Sequence, residues 1–484
     1  GKDTAVARNT EGNISSLRAF GVTIRGTTQR VFTEIRKEFD NILYPFQKEG
    51  IQLIYKFKKR MFIADDMGLG KSIQAIAFMA NNPKHIPAVV ICPASAKYSW
   101  EQEILKWWPE AIDLQVLESK SNIRKADIYV INYDILRKFT KYFRNIRLKT
   151  LVIDEFHYIK DSEAKRTKAV KAMGKKIPYI IGLSGTPVEN RPIEMFNMLN
   201  ILRPGIFWNR SEYAIRFCDR KKGYRGWDDK GASNLDILNH YLRNNVMVRR
   251  LKKNVLKELP DKTIIVVPVA IDNREEYLEA KDDMVSWLNR TSPEKAEKAK
   301  KTQQLAKFNY LLQLTGHGKL NFIFNWIDDF VDSGHNKLVL FAWHRFMVDA
   351  LMDRYNDIAV KIDGSVNSKQ RHQAVTAFQT DSKIQLFVGN IRAASEAITL
   401  TAANYVGILQ TGLVPSKIQQ AVDRVHRISQ DKKVFVYHFI AKNTFEEDVY
   451  ELIDKKIKII SEMVDGVVAS EDSLITELIK RMEK

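Results

Sequence analysis

Cysteine is scarce in this chain: Cys92 and Cys218 are the two among 484 residues, with no CxxC pair and no histidine at metal-ligand spacing. That excludes a disulfide framework and a zinc module, and it fits a reducing compartment. No apolar run approaches the roughly 18 residues that a membrane-crossing helix needs, and the N-terminal stretch has no signal-peptide core. The expectation is a soluble intracellular protein with no membrane partner, nuclear in a eukaryote and cytoplasmic in a bacterium or phage. No self-similarity of solenoid period is visible either.

What is there is globular and basic. The chain is 45% hydrophobic, enough for two to four domains, since single cores rarely grow past roughly 250 to 300 residues. Seventy-seven Lys and Arg outnumber fifty-eight Asp and Glu, for a formal charge of +19. A polyphosphate surface would be attracted and would release counterions on binding, so nucleic acid is the first partner expected; a lysine-rich surface that only keeps the protein soluble is the alternative.

Short apolar runs alternate with helical patterns in two series, as parallel sheets covered by helices require. The first series is Met61–Ala64, Ala88–Cys92, Ile128–Asn132, Thr150–Ile153 and Tyr179–Leu183; the second is Lys337–Ala342, Ala359–Ile362, Ile384–Val388, Tyr405–Leu409 and Val434–Ile440. The fold class expected is α/β, with two parallel-sheet lobes. Its division is an N-terminal segment 1–40, a first lobe 41–188, helical insertions 189–318, a second lobe 319–444 and a C-terminal helical extension 445–484. Thr315–Gly318, with two glycines and a histidine, reads as the connector into the second lobe.

Two elements carry chemistry. Residues 62–72 pass from a strand pattern through Asp65, Asp66, Met67, Gly68, Leu69 and Gly70 to Lys71 and Ser72, which open a helix pattern. Glycines let backbone N–H groups approach phosphate oxygens, the helix N-terminus adds positive potential, Lys71 reaches terminal phosphates and Ser72 can ligate Mg²⁺. Asp65 stands where the general phosphate-loop pattern has glycine, so the match is to its second half. Thr150–His157 is a buried strand that delivers Asp154 and Glu155 at its C-terminal end, where α/β sheets place ligands. Asp154 can hold Mg²⁺ through water and Glu155 can polarise an attacking water. His157 either couples the nucleotide to the nearby Ser184–Gly185–Thr186 segment or is a packed histidine.

From Tyr44 onward the chain resembles the SWI/SNF-type branch of superfamily-two helicase-like ATPases. The likeness rests on Asp66–Lys71, Leu43–Gly50, Val89–Pro93 with Trp100, Val130–Asp134, Leu183–Pro187, Lys361–Ser365 and Gln420–Gln430. The inter-lobe stretches Phe217–Asp219, Gly226–Asp228, Ser233–Leu235 and Val248–Pro260 look like the HepA-related, HARP-like annealing-helicase branch. The resemblance implies RecA-like lobes, ATP and Mg²⁺, and double-stranded or forked DNA as partner. It makes Asp65 the family's usual acidic residue and Gln47 the candidate for adenine. Asn132 and Tyr133 would face DNA, and Ser184, Thr186 and Gln420 would couple hydrolysis to lobe movement. Arg424 and Arg427, three apart on one helix face, would reach the γ-phosphate. Arg249, Arg250 and Arg392 are the remaining DNA-contact candidates, with a structural patch as the alternative for the first two.

The activity implied is a DNA-dependent ATPase that tracks along or remodels double-stranded DNA. A strand-separating helicase and a non-hydrolysing DNA scaffold are the rivals. No segment is assignable as a strand-parting pin. About forty residues precede Tyr44, few for an accessory domain, so a separate targeting partner is expected. One departure stands out: Asn390–Thr399 contains no glycine where the family has a glycine-rich turn.

Overall fold

The computed structural model describes residues 34–108, 112–185, 191–223, 226–229, 231–256, 258–290, 297–334, 337–394, 398–412 and 414–462. They form two compact units that divide between Lys257 and Glu258.

In the first unit, β1 (Arg60–Ile63), β2 (Ala88–Cys92), β3 (Leu114–Val116), β4 (Ile128–Asn132), β5 (Thr150–Asp154) and β6 (Tyr179–Leu183) form a parallel sheet, joined at its edge by a two-residue strand. A two-stranded antiparallel hairpin, β7 (Lys221–Gly223) and β8 (Gly226–Asp228), stands apart from that sheet, and β9 (Met247–Val248) is the added edge strand. The sheet order is β3-β4-β2-β5-β6-β1-β9. Every residue of β2 and β4 is buried, which is why these strands read as unbroken apolar runs: helices cover both faces.

The second unit has a six-stranded parallel sheet made of β10 (Lys262–Val269), β11 (Leu338–Ala342), β12 (Ala359–Ile362), β13 (Leu386–Asn390), β14 (Tyr405–Ile408) and β15 (Val434–Ala441). Its order is β10-β15-β14-β11-β13-β12. All ten expected strands are present, within a residue or two at their ends.

The stretch expected to be helical insertion contains more than helices. Within 189–318, β9 extends the first sheet beside β1, and β10 extends the second beside β15 over eight residue pairs. Thr315–Gly318 is no connector but the end of the helix Glu297–Gly318. The C-terminal extension is helical over Phe445–Glu462, and the rest of it lies outside the described residues. Among the described residues, no helix is long and apolar enough to cross a membrane.

Candidate nucleotide site and second-lobe arginines

In parallel sheets the C-terminal strand ends gather on one edge, so β1 and β5 bring their following residues to the same place. After β1 the loop turns at Gly68 and Gly70, with φ of 83° and 70°, and the helix Lys71–Ala80 begins. Gly70 has a double reason to be glycine: its φ is left-handed, and a Cβ there would stand 2.4 Å from Gln47 Nε2. Lys71 Nζ donates to the carbonyls of Asp65 (2.9 Å) and Asp66 (3.1 Å) and to no carboxylate among the described residues. Burial lowers its pKa to about 8, while Glu155, Asp65, Asp154 and Asp66 act at longer range to keep the proton on. Gly185 closes the other side, where a Cβ would lie 2.5 Å from Met67 Cγ and 3.5 Å from Lys71 Nζ. A buried ammonium held only by carbonyls, beside a cradle that tolerates no Cβ, fits a phosphate chain.

Asp154 ends β5, and burial followed by repulsion from Glu155 pushes its carboxyl up to about 6. The Trp100 indole N–H donates to Asp154 Oδ2 at 2.9 Å, and the Glu155 amide donates to Asp154 Oδ1 at 3.0 Å; both bonds favour the charged form. Glu155 sits at φ 47°, a left-handed conformation that costs a non-glycine residue about 1–3 kcal/mol and turns the chain sharply out of the strand. Glu155 Oε2 lies 3.3 Å from His157 Nδ1. His157 Nδ1 is also 2.9 Å from Ser184 Oγ. Glu155 is thus linked through one imidazole to the segment after β6. Thr186 lies outside the described residues. Hard oxygen donors, the Ser72 hydroxyl and the Asp154 carboxylate, are the chemistry that Mg²⁺ takes.

Several expected contacts have other work. Gln47 is buried; its oxygen accepts from the Tyr44 amide at 3.0 Å and caps its own helix, while its Nε2 donates to the Leu69 carbonyl at 3.1 Å and braces the phosphate loop. Tyr133, expected at DNA, is buried and donates its hydroxyl to the Asp154 carbonyl at 2.5 Å, while its ring stacks on Tyr158. Asn132 is buried and bonds Asp134 at 3.2 Å. Trp100 likewise turns inward, onto Asp154.

Arg250 is the largest correction to the DNA candidates. β9 runs parallel to β1, and their continuations lie side by side. Arg250 Nε and Nη2 therefore reach Asp65 Oδ1 and Oδ2 at 3.0 and 2.9 Å. The Arg250 amide adds a third bond to Asp65, Gln74 adds another, and the guanidinium lies 5.2 Å over the Phe46 ring. Asp65 is fully buried, so it stands where glycine was expected as the counter-ion of this clamp. Arg249 also points inward, donating to the Ala64 carbonyl at 2.7 Å.

In the second lobe, the helix Pro415–Val422 carries buried Gln420 and then stops. Arg424 and Arg427 lie in the turns beyond it, not on a helix face, because bonds such as Arg424 N to Ala421 O and Arg427 N to Val425 O shorten the spiral. Arg427 Nη1 donates to the Ile398 carbonyl (3.1 Å) and the Thr399 hydroxyl (2.5 Å). Where glycines were expected, Ile391–Ala394 forms one helical turn, held by Arg371 on the Ala393 carbonyl at 2.5 Å. Arg392 is exposed there, its guanidinium 4.2 Å over the Trp343 ring.

Residues 46–317 match the SNF2-related domain and residues 318–429 the helicase conserved C-terminal domain, so the chain belongs to the SNF2-related family. Among its relatives, the SWI/SNF-related matrix-associated actin-dependent regulator of chromatin subfamily A-like protein 1 of Xenopus tropicalis is 31% identical over 89% of this chain and 46% of its own length. The DNA annealing helicase and endonuclease ZRANB3 of Homo sapiens is 32% identical over 88% of this chain and 40% of its own. The Caenorhabditis elegans homolog of the first protein is 32% identical over 87% of this chain and 62% of its own. The chain therefore spans about half the length of these relatives. A solved Sulfolobus solfataricus SWI2/SNF2 ATPase core in complex with dsDNA aligns at a TM-score of 0.42 and 26% identity, over 91% of this chain and 96% of that one.

Proposed function

We propose that the chain is a DNA-dependent ATPase that couples ATP hydrolysis to tracking along, rewinding or otherwise remodelling double-stranded DNA, forked DNA included. The observation that carries the reading is the first-lobe site: a half-buried Lys71 whose ammonium has carbonyl partners only, beside an Asp154–Glu155 pair whose Glu155 is tied to Ser184 through His157.

Lys71 and the loop amides would take the β- and γ-phosphates, and Ser72 and Asp154 would hold Mg²⁺, which neutralises phosphate charge when bound. Glu155 would orient and polarise the attacking water. His157 touches both Glu155 and Ser184, so a change in charge at the carboxylate pair is felt after β6. Arg424 and Arg427 are the proposed γ-phosphate arginines, suited to it by a planar charged fork that never deprotonates. Arg392, exposed beside Trp343, is proposed as a DNA contact.

Steady-state ATP turnover of wild type and Lys71→Ala, with no DNA, single-stranded DNA and blunt duplex, tests the reading. Stimulation by blunt duplex in wild type alone is expected. Turnover equal with and without DNA would leave a binding scaffold as the better account, and stimulation by single strands alone would favour a strand-separating helicase.

A further inference from the structure

Outside the nucleotide site, the β7–β8 hairpin presents an exposed aromatic on fixed supports. Trp227 is 62% exposed, and every residue of both strands is exposed. A six-residue ribbon cannot hold itself, and here its base is stapled to the helix Arg210–Phe217. Ser233 Oγ donates to the Arg216 carbonyl at 2.8 Å and accepts from the Asp219 amide at 3.1 Å, and Asn234 Nδ2 donates to the same Arg216 carbonyl at 2.7 Å. Asp229 takes Arg210 at 2.8 Å and Arg220 at 3.0 Å. That helix is in turn rooted in the core by Tyr213 and Phe217.

The hairpin sorts its charge by face. Lys222 pairs directly with Trp227 across the ribbon, so the two share a face. The Arg220 guanidinium lies on that face too, 4.9 Å over the indole. The opposite face carries Lys221, paired at 2.7 Å with Asp219 and facing Asp228 across the ribbon, and is self-neutralising. Asp229, the acid nearest the tryptophan face, is tucked in between two arginines. In sequence, residues 210–230 hold seven Lys and Arg against four Asp and Glu.

We propose that the open side of Trp227 on this hairpin stacks an unpaired base of a DNA strand, with the exposed Lys222 on a flanking phosphate and Arg220 bracing the indole from behind, and so reads a branch or an end rather than continuous duplex. This rests on the duplex-tracking reading above. An indole with one face under a guanidinium and the rest open accepts any base, because every base has a π face, while Lys222 meets the backbone. A protein partner would use the aromatic area but has no need of the exposed Lys222 cation beside it.

The test measures Kd by fluorescence anisotropy, without ATP, for a fork with unpaired arms and for blunt duplex of equal length. Wild type is compared with Trp227→Ala, Trp227→Leu and Trp227→Tyr, and each fold is checked by thermal melting. The preference for fork over duplex should fall about tenfold in the Ala and Leu variants and return in the Tyr variant. A 5-iododeoxyuridine at the junction should photo-crosslink to Trp227. An unchanged preference, a Leu variant as good as Tyr, or crosslinking elsewhere would overturn the proposal. Because binding is read without hydrolysis, a wild type lacking duplex-stimulated turnover would sink the translocase reading while leaving this measurement interpretable.

Discussion

Two lysines, one in each lobe, differ in what they meet. Lys319 is fully buried and donates to both Glu446 oxygens at 2.8 and 2.7 Å and to the carbonyls of Leu409 and Phe439. Glu446 in turn accepts the amides of Thr411 and Ala441. That pair is complete within the chain, and it locks β14, β15 and the start of the C-terminal helix together. Lys71 carries the same charge with two carbonyls and no carboxylate in contact. A buried charge with a full partner set is architecture, whereas one left short of anionic partners is a place for an anion to arrive.

Removing each lysine sharpens the contrast. Lys319→Ala strands a buried carboxylate and should cost about 3–5 kcal/mol of stability, read by urea unfolding, with Lys319→Met/Glu446→Leu recovering much of it. Arg250→Ala strands Asp65 in the same way and belongs to the same range. Lys71→Ala should do the reverse: ATP turnover falls about 10²–10³-fold while the melting temperature holds or rises, since an incompletely partnered charge has gone.

The pH dependence follows from the same burial. Lys71 loses its proton as pH rises through about 8, so nucleotide affinity should weaken on the alkaline side. Asp154 gains a proton as pH falls through about 6, so the Mg²⁺ dependence of nucleotide binding should weaken on the acid side. Titration with a fluorescent nucleotide from pH 5 to 9 should give a plateau between those limits; a flat profile would show that neither charge governs binding. The smallest effect expected is in Trp100→Phe. Losing the indole donor raises the Asp154 pKa, so the acid limb should move to higher pH with a change in turnover of tenfold or less.

Much of this was legible in sequence, and the omissions have physical causes. Runs such as Ala88–Cys92 announce themselves because burial on both faces demands continuous apolar residues. β10 alternates exposed and half-buried residues at a sheet edge, and β9 is two residues long, so neither carries that signal. Lys71, Asp154 and Glu155 were readable from motif order. Whether Arg250 and Tyr133 face DNA or the interior is set by which strand lies beside which, and a linear pattern does not encode that neighbour. Arg424 and Arg427 have helical spacing, but the helix ends at Val422 where successive bonds tighten. Lys319 and Glu446 are 127 residues apart and resemble surface charges until the strands that bury them are placed.

The most direct test of the motor is third-strand displacement from a blunt duplex, followed together with strand separation. The account predicts ATP-dependent loss of the third strand from wild type with the duplex left intact, and none from Lys71→Ala. Release of single strands while the third strand stays bound, or displacement that persists in Lys71→Ala, would contradict it.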